Sequence, residues 1–143
     1  MDFPLYESNV IGQCYSLPAS GGYITVKLSD CIQIQAITIE TIAPQNLLDV
    51  SNIPREIVVD ATYHDEHNLD HHWSPVTKVE FNILGPVRQT THVAAEDMVV
   101  EAQPSSSCHN AVRFRFETNY GSKQETCVYG LGVHGMKPDK ERN

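Results

Sequence analysis

Basic residues are scarce in this chain: ten lysines and arginines face eighteen aspartates and glutamates, for a formal net charge of −8. That balance excludes nucleic acid as a general partner, because phosphate binding needs a positive surface. It excludes anionic membrane surfaces for the same reason. No apolar run approaches the roughly eighteen residues of a transmembrane helix. The opening MDFPLYESNV lacks the basic and apolar regions of a signal peptide, which reads as a cytosolic chain or as a domain excised from a longer one. The G-x-S-x-G elbow, the P-loop and G-x-G-x-x-G are all missing, and with them the commonest hydrolase and nucleotide-binding signatures. No C-x-x-C pair occurs, so the usual redox and zinc spacings are missing too. Helical periodicity is also lacking. Its best candidate, QNLLDVSN, is short and stopped by Pro54.

Period-two alternation is what the chain has in abundance. YITVKL sets Ile24, Val26 and Leu28 against Tyr23, Thr25 and Lys27. In IQIQAITIE the phase changes, with Ile32 and Ile34 on even positions and Ile37 and Ile39 on odd ones. A bulge near Ala36 would keep both pairs inward. REIVVDATY carries Ile57, Val59, Ala61 and Tyr63; VTKVEFNI carries Val79, Phe81 and Ile83. AVRFRFE is the cleanest, with Val112, Phe114 and Phe116 opposing Arg113, Arg115 and Glu117; VYGLGVH alternates through Tyr129, Leu131 and Val133. Its glycines predict close backbone approach or a bend, not phosphate binding. With 143 residues and 41% hydrophobic content, the pattern predicts one all-β domain, a β-sandwich. It divides into an N-terminal segment 1–9, the sandwich over 10–136 and a polar tail 137–143.

Cys14, Cys31, Cys108 and Cys127 allow three two-disulfide pairings or none. A bridge from Cys14 to Cys127 would close nearly the whole domain, the arrangement with the largest chain-entropy effect. Four buried thiols are the competing reading. In TYHDEHNLDHHWS, four of the seven histidines precede the single tryptophan. His64 and His67 would converge on zinc if the segment were helical, with His71 or Asp70 as third ligand and His72 alongside. A strand connection on an acidic surface supplies neither rigidity nor supporting hydrogen bonds for such a site, so a solvated loop is expected instead. In SSSCHN, Cys108 and His109 are neighbours on extended chain and point to opposite faces, a poor nucleophile–base pair.

Two further motifs resemble the SUN domain, the lumenal module of inner-nuclear-membrane proteins. GQCYSLPASGGYITVKLS is similar to the family's Gly-x-Cys-Trp, Gly-aromatic and Val-x-Leu-Ser pattern at Gly12, Cys14, Gly22, Tyr23, Val26, Leu28 and Ser29, with Tyr15 replacing the tryptophan. NYGSKQETCVYGLGVHG resembles its C-terminal pattern at Asn119, Gly121, Thr126, Cys127, Tyr129, Val133, His134 and Gly135, with Tyr120 for the second tryptophan. TIET and IPREIVV fall where the family has Thr-x-Glu-His and a proline-led strand start. The resemblance spans about residues 10 to 136.

The resemblance implies a jelly-roll sandwich, shared in general architecture with discoidin-like domains. It implies no enzymatic activity, trimeric assembly, and binding of the C-terminal KASH peptide of an outer-nuclear-membrane protein, in the perinuclear space of the nuclear envelope. It implies a Cys14–Cys127 disulfide pinning a loop that holds a monovalent cation (K+ or Na+) near Gln13 and Tyr129. An oxidising compartment follows. Cys31 and Cys108 are not family cysteines, and their pairing stays open. The peptide pocket maps to Thr41, Ser51 or Asn52, Glu125 and Tyr129, and only Tyr129 keeps the family's residue type. Glu125 would face the peptide's terminal carboxylate with a like charge. The sequence begins after the expected lid hairpin and coiled coil, which leaves trimer and monomer both open at this length. Two competing functions are a discoidin-like carbohydrate- or lipid-binding sandwich and a zinc hydrolase built on residues 64–72.

Overall fold

A computed structural model describes residues 14–42, 50–63, 72–93 and 108–137, together with the backbone of 2–7. In chain order the strands are β1 (Asp2–Glu7), β2 (Tyr15–Pro18), β3 (Gly22–Glu40), β4 (Pro54–Thr62), β5 (Ser74–Glu80), β6 (Arg88–His92), β7 (His109–Asn119), β8 (Glu125–Val128) and β9 (Gly130–Met136). Among the described residues there is no helix, as the alternating pattern requires.

β3 organises the molecule. At 19 residues it is far longer than a usual strand, and it serves two layers in turn. Its first part, Gly22 to Lys27, pairs antiparallel with β7, which pairs in turn with β4, and β4 with β5. Its last part, Ala36 to Glu40, lies between β9 and β6, and β9 carries β1 on its other edge. The register slips between Lys27 and Ile32 against β7, and between Ile34 and Ala36 against β9. The second slip is the bulge expected from the phase change. The extra residue lets Ile32, Ile34, Ile37 and Ile39 all reach the core, each no more than 4% exposed. YITVKL and IQIQAITIE, two separate alternations in sequence, are one bent strand.

The core between the layers is built from those isoleucines with Ile57, Val59, Phe114, Phe116, Leu131 and Val133. The small β2–β8 sheet adds Leu17 and Val128. Three apolar positions depart from the simple alternation. Tyr63 lies beyond the end of β4 and is 56% exposed, so it is not the core residue its spacing suggests. In β5, Val76 and Val79 are both buried, because the register against β4 shifts between Val59 and Asp60. VYGLGVH is not one strand: Tyr129 separates β8 from β9. The N-terminal segment, set apart from the sandwich on sequence, contributes β1 to its edge.

The close backbone approach read from the glycines of β9 is visible at Gly135. A Cβ built there would stand 2.3 Å from the carbonyl oxygen of Gln33. Polar groups also organise the outer face of the β4–β7 layer. The Asp60 side chain is only 6% exposed and accepts hydrogen bonds from Arg113 Nη2 (2.9 Å), Arg113 Nε (3.2 Å) and Arg115 Nε (2.9 Å). Arg113 in turn stacks 4.5 Å over the ring of Trp73. A carboxylate so far from water is tolerable because two guanidiniums satisfy it.

Candidate functional site

All four described cysteines are bonded. Cys14 joins Cys127 with Cα atoms 5.5 Å apart, and Cys31 joins Cys108 at 5.4 Å. The first bridge fastens the chain just before β2 to the middle of β8, so it closes the domain end to end. The second ties β3 to the residue preceding β7. The reading of four free buried thiols is therefore set aside.

Around Cys127 the segments 51–53 and 119–127 are laced backbone to backbone. The carbonyls of Ser51, Asn52 and Ile53 accept from the amides of Ser122 (3.1 Å), Cys127 (2.8 Å) and Tyr120 (3.1 Å). The Asn-Tyr-Gly run explains itself here. The Asn119 amide donates to the carbonyl of Glu125 and to Thr126 Oγ1, both at 3.1 Å, while its own oxygen accepts from Gly121 N at 2.9 Å. Gly121 sits at φ +126°, a conformation other residues avoid. The Tyr120 hydroxyl donates to the carbonyl of Phe81 and accepts from Ile83 N. Arg55 lies over its ring at 5.6 Å.

This lacing places Asn52 beside Glu125. One Glu125 carboxylate oxygen accepts from Ser16 Oγ at 2.7 Å and the other from Asn52 Nδ2 at 3.4 Å, near the long limit for a hydrogen bond. Thr41 is held from another side: its amide donates to Val87 O at 2.9 Å, and its buried Oγ1 has no partner among the described residues. Tyr129 is 4% exposed, so any support it gives a ligand comes from beneath the surface. Ser16, Tyr120 and Val87 were not singled out as site residues from sequence. Only Tyr120 carried a signal, as the aromatic between Asn119 and Gly121.

Of the two residues expected about a monovalent cation, Tyr129 is the buried residue after β8 and Gln13 lies outside the described residues. His64, His67, Asp70 and His71 also lie outside them. His72 is exposed, and its carbonyl accepts from Thr62 Oγ1 at 2.8 Å. Among the described residues no group of three or more His, Cys, Asp or Glu is placed to hold a metal. His109 is half-buried, and burial lowers its pKa from the ordinary value. A separate cleft of about 300 Å3 opens on the outer face where Tyr23 pairs across the sheet with Arg115; Ser20, Gly21, Gly22, Phe116 and Glu117 complete its walls.

Taken together, the features define an antiparallel jelly-roll sandwich whose two ends are tied by a disulfide beside a polar patch. The Sad1/UNC-like C-terminal family model matches residues 3–137, and the chain belongs to this family, the SUN domains. It is 29% identical over 128 residues to SUN domain-containing protein 2 of Arabidopsis thaliana, covering 90% of this chain and 27% of that protein. It is 27% identical over 128 residues to human SUN domain-containing protein 1, covering 87% of this chain and 15% of that protein. The Klaroid protein of Drosophila melanogaster is 25% identical over 130 residues, which cover 89% of this chain and 12% of that protein. The chain thus spans about a quarter or less of these relatives. Among solved structures a SusE-like protein superposes with a TM-score of 0.57 at 14% identity, over 92% of this chain and 76% of that one, a likeness of fold alone.

Proposed function

We propose that this domain is a non-enzymatic tethering module of the nuclear envelope, exposed to the perinuclear space. On this reading it binds the C-terminal KASH peptide of an outer-nuclear-membrane protein, as a homotrimer in its full-length setting, and so links nucleus to cytoskeleton. Family membership over nearly the whole chain supports it, and one local observation carries it further: the juxtaposition of Asn52 and Glu125 beside the Cys14–Cys127 bridge. These positions fall where the resemblance puts the peptide's end. The peptide adds as an extended strand and leaves its terminal residue near Asn52, Thr41 and the buried Tyr129. A monovalent cation in the loop before Cys14 belongs to the same reading.

Glu125 sets the preference. Its charge disfavours a terminal carboxylate and tolerates a basic or hydroxyl-bearing end residue. The test is calorimetry on the trimeric, lid-bearing form with a synthetic KASH tail, comparing the native sequence with Glu125→Tyr. Tighter binding by the variant is expected. Equal affinity would mean that Glu125 does not meet the peptide, and no binding by either protein would overturn the tether.

The cleft at Tyr23 favours a second reading, a sandwich that binds carbohydrate. Tyr23 is 64% exposed, a bare aromatic surface for a sugar ring, and the two charged residues that line the cleft, Arg115 and Glu117, pair with each other at 3.4 Å. Binding on a glycan array that Tyr23→Ala abolishes would shift the assignment to it.

A further inference from the structure

The turn between β5 and β6 displays a leucine almost entirely to solvent. Leu84 is 91% exposed and Val87 40%. Single exposed apolar side chains are ordinary, but this one is held in place with unusual care. Gln89 reaches back from β6: its Oε1 accepts from Asn82 N at 2.9 Å, and its Nε2 donates to Asn82 O at 2.6 Å and to Pro86 O at 2.9 Å. Leu84 N donates to Asn82 Oδ1 at 3.0 Å and Gly85 N to Asn82 O at 2.9 Å. A turn fixed in this way gives up its conformational entropy during folding, so a contact made by its tip costs less to form on binding.

The turn is also fastened to both walls of the candidate peptide site. At one end Val87 O accepts the amide of Thr41. At the other, Ile83 N donates to the Tyr120 hydroxyl at 3.3 Å, and Tyr120 N is bonded to Ile53 O beside Asn52. The charges at its base are already paired with each other, Arg88 with Glu40 and Arg55 with Glu80. What the turn offers a ligand is apolar surface.

We propose that the 82–87 turn is the specificity element of the peptide site, a preformed knuckle whose Leu84 and Val87 pack on an apolar side chain of the extended tail upstream of its last residue. This rests on the tether reading and says which tails the domain accepts: those with an apolar residue at that place rather than a charged one. Gln89 acts as a positioning residue through the turn.

The experiment is calorimetry with a synthetic KASH tail on the trimeric, lid-bearing form, using Leu84→Ser, Leu84→Met and Gln89→Ala. Leu84→Ser is expected to weaken binding roughly tenfold, with an unchanged melting temperature because the side chain is solvent-exposed. Leu84→Met should keep most of the affinity. Gln89→Ala should weaken binding with a less favourable binding entropy, because the turn must then be ordered on binding. Changing the tail's apolar residue to serine should cost little further once Leu84 is already serine, the mark of direct coupling. Binding by Leu84→Ser within twofold of native overturns the knuckle while leaving the tether intact. No binding by the native sequence overturns the tether, and the knuckle with it.

Discussion

Replacing Asp60 with asparagine should destabilise the domain more than any other single change on its outer faces. The side chain keeps its shape and one acceptor oxygen but loses the charge that two guanidiniums share. Breaking a fully buried ion pair by removing one partner costs about 3–5 kcal/mol. Here the carboxylate is 6% exposed, but its partners are not buried alike: Arg113 is 27% exposed and Arg115 40%. Arg115 keeps its contact with Glu117 at 3.4 Å, and Arg113 keeps the Trp73 ring. Water and these residual partners reduce the penalty on the cations, so about 2–4 kcal/mol is expected. Against a total stability of about 5–15 kcal/mol this is a large loss. Urea unfolding with disulfides intact should show a lower midpoint at unchanged slope, and the loss should persist in high salt because the carboxylate is shielded. Asp60→Leu combined with Arg113→Met and Arg115→Leu should recover most of it, since the unpaired charges go as well. A loss under about 0.5 kcal/mol for Asp60→Asn, the range of ordinary surface changes, would refute the reasoning.

Gly135→Ala should cost at least as much as ordinary overpacking, about 1–3 kcal/mol, because its Cβ would meet the Gln33 carbonyl at 2.3 Å and backbone must move; thermal melting reads it. His109 is held neutral by burial, its pKa below the ordinary 6.5, so the unfolded chain binds its proton more readily. Its contribution is therefore full above pH 6.5 and is lost as pH falls through the folded pKa; His109→Gln should flatten stability between neutral and mildly acidic pH. Removing the Cys14–Cys127 bridge by alanine substitution should cost about 2–5 kcal/mol, measured by urea unfolding under non-reducing conditions.

Much of the fold could be read before the structure because its long strands bury one face and expose the other. Phe114 and Phe116 against Arg113 and Arg115 could be nothing else, and the phase change at Ala36 marked its bulge. The strands that escaped notice are short or polar. RQTTH, which is β6, has no apolar face to betray it, and β2 is four residues closed by a proline. Val76 was hidden by a register shift set by the partner strand, and Tyr63 by the end of β4 one residue before it, which the alternation itself does not mark. The Asp60 cluster was invisible for a related reason. An aspartate inside a strand reads as solvent-facing until the arginines two strands' pairing brings to it are known. The Cys31–Cys108 bridge likewise joins residues that only the β3–β7 pairing brings near one another.

The same distinction applies to the polar patch. The motif around Cys127 pointed to these residues, but not to how they occupy one another. On the proposed reading Asn52 is a donor for the peptide, yet in the free domain its amide already faces Glu125. The two bonds to that carboxylate are not equal. Ser16 Oγ at 2.7 Å is a short, charge-assisted bond, whereas Asn52 Nδ2 at 3.4 Å is near the limit. A ligand competing for Asn52 therefore gives up little, while displacing Ser16 would leave a half-buried carboxylate short of a donor. On that reading Glu125 stays with Ser16 when peptide binds, and its negative charge stays with the site. A tail ending in a carboxylate must place that group away from Glu125, whereas one presenting a carbonyl or hydroxyl to the Asn52 amide need not. Glu125→Tyr removes the charge and releases the Asn52 amide together, and for that reason the variant, rather than a substitution of Asn52, is the sharper probe of the pocket.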